Sequence, residues 1–179
     1  MRLDEESEKG LKSKGFEYVE GLDPIVWVDS EILVLGSCPS SESIRKREYY
    51  ATASNRFWPL VAEIFGCAVP ERYEDKLDML KEHHVALWDV YRNGYRKGSR
   101  DGYESAELND IKGFLVSHPS IRRIAIAGKD AQAAFAGKFG DIGVPVIPVT
   151  STSAANGHFD ALKSSWHVAF GICRSRADC

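Results

Sequence analysis

No apolar run in the sequence approaches the ~20 residues that a membrane-spanning helix requires, so no membrane partner is expected. The opening stretch, MRLDEESEKGLKSKG, is charged and has no apolar centre, so it does not read as a signal peptide. A cytoplasmic chain is the resulting expectation. The cysteines, Cys38, Cys67, Cys173 and Cys179, are scattered and form no C-x-x-C pair, which argues against a zinc or iron–sulfur site and for reduced thiols. The histidines include no pair at H-x-x-x-H spacing. His83-His84 falls where a helix should end and suits a partner for the helix dipole. Internal repeats and low-complexity linkers are also missing. Nor is there a positive total: the net charge is -3. A nucleic-acid ligand requires only local positive charge, however. Arg45-Lys46-Arg47, then Arg92, Arg96, Lys97 and Arg100, then Arg122-Arg123 supply it. The middle cluster has no acidic residue inside it. Taken singly, each cluster also reads as an ordinary solvated face.

What is present is enough for one domain of 179 residues with a single core. Residues 1–20 read as a polar, partly disordered lead-in and 21–179 as one α/β domain. Ile32-Leu33-Val34-Leu35-Gly36 is a short apolar run closed by glycine, the pattern of a buried strand. A long polar loop should follow to residue 55. A helix should then start near Asn55, with Asn55 at its N-cap and Pro59 tolerated in the first turn. Further on, 73–84 reads as a helix, 85–88 as a strand, 89–105 as a basic loop and 106–118 as a helix. Residues 121–128 read as a strand, 129–139 as a helix, 144–150 as a strand and 158–174 as a closing helix. Pro145 and Pro148 place the last strand at a sheet edge. Strands alternating with helices imply a mostly parallel sheet covered on both faces, a three-layer α/β/α architecture. Such sheets bind ligands beyond the carboxyl ends of their strands. The loops at that end are 36–55, 89–105, 127–130 and 150–158.

Each of these loops carries unusual residues. Gly36 lets the chain turn sharply out of its strand, and backbone N–H groups at Ser37 and Cys38 can then face a ligand oxygen; a plain strand-to-loop turn explains the same residues. Pro39 and the long loop after it do not suit a nucleophile elbow, although a small α/β hydrolase using Ser37 or Cys38 stays open. Tyr49, Tyr50, Phe57 and Trp58 cluster around Asn55, where an aromatic face could stack on a base; Trp58 reads better as core. Asn55 could be only a helix cap. Ser151-Thr152-Ser153-Ala154-Ala155-Asn156-Gly157-His158 is small and polar, able to approach a duplex closely or merely to cap the last helix.

Together these segments resemble the hypoxanthine-DNA glycosylase family, the sixth family of the uracil-DNA glycosylase superfamily, from about residue 22 to 172. Gly36-Ser37-Cys38-Pro39-Ser40-Ser41-Glu42-Ser43-Ile44 is similar to its first motif, continued by Tyr49-Tyr50-Ala51 and Asn55-Arg56-Phe57-Trp58. Leu87-Trp88-Asp89-Val90 and Arg96-Lys97-Gly98-Ser99-Arg100-Asp101 resemble its middle segment. Asn109-Asp110-Ile111, His118-Pro119 and Ser151-Thr152-Ser153-Ala154-Ala155-Asn156 complete the match. The resemblance implies a four-stranded, mostly parallel sheet between helices, no metal and no cofactor, and a monomer acting on damaged or mismatched DNA with the base flipped. It implies a monofunctional glycosylase that removes a deaminated base. It implies catalysis by Asn55, base binding by Gly36, Ser37, Cys38, Tyr50, Phe57 and Gly128, and DNA contacts from Arg96, Lys97, Ser151, Thr152, Ser153, Asn156 and His158. Cys38 stands where several sister families carry a catalytic carboxylate or amide, so no strong base near the sugar is expected. Thr52-Ala53-Ser54, Ala127 and Ala154 depart from the branch's usual residues, which leaves a non-catalytic damaged-DNA binder as a rival reading.

Overall fold

Ile32, Leu33, Val34 and Leu35 of the first apolar run are interior because the run forms a central strand. The computed structural model describes residues 4–98, 103–154 and 159–171. Ile32–Gly36 (β2) pairs in parallel with Val85–Asp89 (β3) on one side and Arg123–Ala127 (β6) on the other. Val146–Val149 (β7) adds to β6, giving a four-stranded parallel sheet in the order β3-β2-β6-β7. The strand containing Pro148 is therefore an edge, where a missing N–H costs no ladder bond.

Alternation along β2 divides the interior in two. Ile32 and Val34 point into one core with Phe57–Phe65 (α3), Tyr73–Glu82 (α4) and Phe159–Phe170 (α7). Leu33 and Leu35 point into the other, with Ile111–Ser117 (α5) and Lys129–Phe139 (α6). Helices thus cover both faces, and the expected three-layer α/β/α architecture is what the chain adopts. Among the described residues no helix is long and apolar enough to cross a membrane.

Four expectations about elements change. The loop expected over 89–105 contains Tyr91–Arg96 (β4), and the helix expected from residue 106 begins only at Ile111, because Glu104–Leu108 is a strand (β5). Asp110 stops the earlier start: its side chain accepts from the Gly113 amide and caps α5. The lead-in is also structured where described. It forms a helix over Glu5–Ser13 (α1) and a strand over Glu17–Glu20 (β1), and β1 pairs antiparallel with β4. The result is a second sheet in the order β1-β4-β5. Finally, Ser41–Lys46 is a short helix (α2) inside the expected polar loop, capped by Ser40 through a 3.1 Å bond from the Ser43 amide.

Candidate active site

The carboxyl ends of β2, β3, β6 and β7 open into a cleft of about 1350 Å³. Its first wall is the segment leaving β2. The carbonyls of Gly36 and Ser37 accept from the amides of Val90 and Tyr91 at 2.8 and 3.0 Å, so the turn is fixed to the start of β4. Arg96 holds the next part. Its guanidinium is buried, donates to the Pro39 carbonyl at 2.5 Å and to the Ser41 hydroxyl at 3.1 Å, and lies over the Tyr103 ring. This corrects the expectation that Arg96 contacts DNA: at 4% exposure its donors belong to the loop. Lys97, one residue on, is exposed and lies outside the cleft lining. Arg100, Asn156 and His158 lie outside the described residues.

Tyr50 forms part of the second wall. It is a non-glycine residue at φ 55°, a conformation that costs of order 1–3 kcal/mol and persists only where surroundings impose it. Here the imposing contacts are aromatic: its ring stacks on Phe57 at 3.8 Å and meets Trp58 edge-on at 6.4 Å. Phe57 itself is fully buried behind Tyr50, which corrects its assignment as a base-binding ring. Trp58 is core as expected and donates to the Tyr49 carbonyl. The Thr52 hydroxyl donates to that of Ser40 at 2.9 Å, joining this wall to the first.

Asn55 lines the cleft just before α3. Its carboxamide oxygen accepts from the Phe57 amide and from the Thr152 hydroxyl, both at 2.9 Å. An amide N–H donor identifies that atom as oxygen rather than nitrogen. Both lone pairs are thereby used, and Asn55 can serve a ligand only as a donor, through Nδ2. The N-cap position falls to Arg56, which makes no side-chain cap bond, and not to Asn55 as expected; Asn55, one residue earlier, bonds the first helical amide and lines the cleft as well. Thr152 belongs to the third wall, Ser151–Ala154, which the Arg56 amide grips through the Thr152 carbonyl at 3.0 Å. Gly128 (φ 91°) completes that wall; a Cβ there would lie 3.0 Å from the Ser151 Cβ, so the two loops can meet only at glycine. The cleft therefore gathers Gly36, Ser37, Cys38, Tyr50, Asn55, Gly128, Ser151, Thr152 and Ser153.

It also contains groups to which the sequence reading gave no role. Asp89, the last residue of β3, is 4% exposed, and its Oδ2 is buried without a hydrogen-bond partner. Burial alone pushes this carboxyl up to about 7. The Tyr103 hydroxyl is likewise buried, with the Cys38 thiol beside it. The cleft thus holds a carboxyl group on β3 rather than at Cys38. The available signal was an aspartate closing the otherwise apolar Val85-Ala86-Leu87-Trp88 in direct register with Gly36. Lys129 and Asp130, at the start of α6, also line the cleft. Burial raises the Cys38 thiol, and the nearby Asp89 raises it further, so it is held as a thiol. No histidine lines the cleft among the described residues, which leaves Ser37 and Cys38 without the imidazole base that an acyl hydrolase would use. Among the described residues no group of three or more His, Cys, Asp or Glu could hold a metal ion.

Comparison with known proteins agrees with this arrangement. The model of the uracil DNA glycosylase superfamily matches residues 25–170. A protein named hypoxanthine DNA glycosylase from Methanosarcina acetivorans is 36% identical over 153 residues, covering 84% of this chain and 96% of its own. Its namesake from Methanosarcina barkeri is 32% identical over 158 residues, covering 84% and 97%. The solution NMR structure of a candidate uracil DNA glycosylase from Methanosarcina acetivorans superposes with a TM-score of 0.76 at 35% identity, covering 86% of this chain and 97% of that one.

Proposed function

The chain belongs to the uracil DNA glycosylase superfamily and is a DNA N-glycosylase, and we propose that it excises hypoxanthine, a deaminated purine, acting as a cytoplasmic monomer on a flipped nucleotide. The observation that carries this reading is the convergence on one cleft of the amide-bearing turn at Ser37 and Cys38, the Tyr50 ring and Asn55. The relatives named for hypoxanthine excision support the choice of base.

The chemistry assigns each wall a task. C1′ of a stacked nucleotide is inaccessible, so the nucleotide must leave the duplex at a cost of a few kcal/mol, least for a mispaired base. The half-buried Tyr50 ring, lining the cleft in front of Phe57, offers a stacking platform. Breaking the C1′–N bond leaves the electron pair on the base; water supplies the oxygen that bonds to C1′, and its proton neutralises the departing anion. The amides of Ser37 and Cys38 are donors the turn can offer to that anion, each worth roughly 3 kcal/mol when well aimed. Asn55 acts through Nδ2, donating either to the base or to the oxygen of the attacking water. Ser151 and Ser153, continued by Asn156 and His158, press against the duplex and Lys97 meets phosphate, whereas Thr152, expected to contact DNA, is buried and braces Asn55 instead.

The test is incubation with oligonucleotides carrying hypoxanthine, uracil or xanthine, followed by alkaline cleavage at abasic sites. Fastest strand scission at hypoxanthine is expected. No product trapped by borohydride is expected either, since hydrolysis forms no imine with Lys129. A protein that binds these strands without releasing any base would overturn the reading.

A further inference from the structure

Arg56 reaches from the start of α3 into the loop after β7 with both its backbone and its side chain. Its amide donates to the Thr152 carbonyl at 3.0 Å, and its guanidinium donates to the Ser153 carbonyl at 3.0 Å. Asn55, the residue before it, accepts from the Thr152 hydroxyl at 2.9 Å. The other end of the loop is fixed by α7: Trp166 Nε1 donates to the Thr150 carbonyl at 2.9 Å, and the Thr150 amide donates to the Ser165 hydroxyl at 3.2 Å. Gly128 packs against Ser151 between these points. Residues 150–152 are therefore held without help from the Arg56 side chain. Bonds to Thr152 alone still leave the chain beyond it free to turn. There the Ser153 amide makes a local 3.3 Å bond to the Ser151 hydroxyl, and the guanidinium supplies the anchor to the body of the protein.

That anchor contributes little to the fold. The bond lies in solvent, where exchange with water returns little, and holding a long arginine side chain in one rotamer costs entropy of similar size. Nor is Arg56 part of the cleft lining. A bond of small worth to stability, strung between the neighbour of Asn55 and a duplex-facing loop, acts on their relative position.

We propose that the Arg56 side chain is a positioning residue: by bonding Ser153 it holds the duplex-facing loop in register with Asn55, so that the nucleotide is expelled and Asn55 presented by one rigid frame. This rests on the reading above that Ser151 and Ser153 press against the duplex, and deepens it by naming what they push from. Pressing requires a stiff support. Unstacking costs most for a paired base and least for a base in a single strand, and an inserted wedge recovers part of that cost only while it stays in place. Without the guanidinium bond Ser153 yields, fewer nucleotides stand flipped, and release slows in proportion. A single strand has no partner base to give up and makes no such demand.

Single-turnover base release by wild type and Arg56→Met is compared on hypoxanthine opposite thymine in a duplex and on the same strand alone. Release from the duplex should slow about fivefold or more, and release from the single strand less than about twofold. The urea melt should hardly move, and the salt dependence of duplex binding should keep its slope. Arg56→Gln, whose amide stops two atoms short of the guanidinium nitrogens, should show the same pattern. Equal slowing on both strands would make Arg56 a support of the fold or of Asn55 alone and overturn the proposal. A slope flattened by roughly one unit would make it a phosphate contact and overturn it too. A second readout requires no cleavage. In a duplex carrying 2′-fluoro-2′-deoxyinosine, whose glycosidic bond resists cleavage, an adjacent 2-aminopurine brightens as its neighbour leaves the stack. At saturating protein Arg56→Met should give less than about half of the wild-type gain; a full gain would overturn the proposal. A wild type that brightens this probe but releases no hypoxanthine would remove the proposed choice of base and leave the positioning role standing.

Discussion

Asn55 and Asp89 line the same cleft, carry side chains of the same size and stand at opposite extremes of hydrogen bonding. Asn55 has spent its oxygen on the Phe57 amide and the Thr152 hydroxyl. The Asp89 Oδ2 is buried and has no partner among the described residues. A satisfied polar group at a helix start stabilises the fold whether or not a ligand is present. An unsatisfied buried one destabilises the empty protein and gains only when something else completes it. The difference separates what builds the cleft from what waits in it, and it makes the two residues respond in opposite ways to substitution.

The largest expected effect is on stability. Burial raises Asp89 from 3.8 to about 7. Between those values the folded protein binds a proton that the unfolded chain has released, so this group's contribution to stability falls as pH rises from about 4 to about 7 and then levels. Asp89→Asn removes the titration. The variant should gain on wild type across that window by up to about 4 kcal/mol, the equivalent of a three-unit shift. Urea melts of both proteins at about pH 4 and about pH 8 measure it. A constant difference would mean that Asp89 is solvated in the empty cleft and that the contrast with Asn55 is false.

Second is Arg96, the clamp behind the first wall. Arg96→Met keeps the volume and removes the bonds to Pro39 and Ser41. A loss of about 2–3 kcal/mol is expected, because buried acceptors lose a charged donor. Base release should slow as the Ser37–Cys38 turn loosens. The salt dependence of DNA binding should not change, whereas Lys97→Ala should flatten its slope by roughly one unit. A changed slope in Arg96→Met would return Arg96 to the phosphate track.

Third is Asn55→Ala. It should slow single-turnover base release at least tenfold, about 1.4 kcal/mol in the barrier, and lower stability by about 1 kcal/mol through the lost cap. A lower melting temperature with an unchanged rate would leave Asn55 a cap alone and make Asp89 the cleft's principal polar group.

Much of this arrangement is legible in the sequence, for identifiable reasons. The central sheet is written in apolar runs such as Ile32–Gly36, whose period and length leave little choice, and the edge position of β7 is written in Pro145 and Pro148. The small sheet is not legible. Tyr91–Arg96 mixes basic, polar and aromatic residues, and it becomes a strand only because β1 and β5 lie beside it; tertiary pairing overrides local propensity. The same blindness hid the role of Arg96, which looks like part of a basic run until Pro39 is placed beneath it. Phe57 lies one layer deeper than its sequence position suggests: an aromatic beside Asn55 is expected in the pocket, but helical periodicity turns it inward and leaves Tyr50 in front. Asp89 escaped because its significance lies in lacking partners, and that property belongs to the folded surroundings rather than to the residue.

The smallest expected effect, from Thr152→Val, sharpens the comparison most. Valine preserves the shape of the buried Thr152 and its carbonyl bond from the Arg56 amide, but it cannot donate to Asn55. One lone pair of the Asn55 oxygen is then free, while the bond from the Phe57 amide remains. Stability should fall by about 1 kcal/mol, the ordinary worth of one hydrogen bond. The direction of the rate change is informative. If Asn55 serves the reaction through Nδ2, the freed oxygen adds nothing, the carboxamide is held less firmly and base release slows a few-fold. If the reaction instead needs an acceptor for a proton of the attacking water, the freed lone pair supplies one and release accelerates. The spent oxygen makes slowing the expected result. Single-turnover rates of wild type and Thr152→Val on the same hypoxanthine strand decide it, and acceleration would show that Thr152 restrains Asn55 rather than positions it.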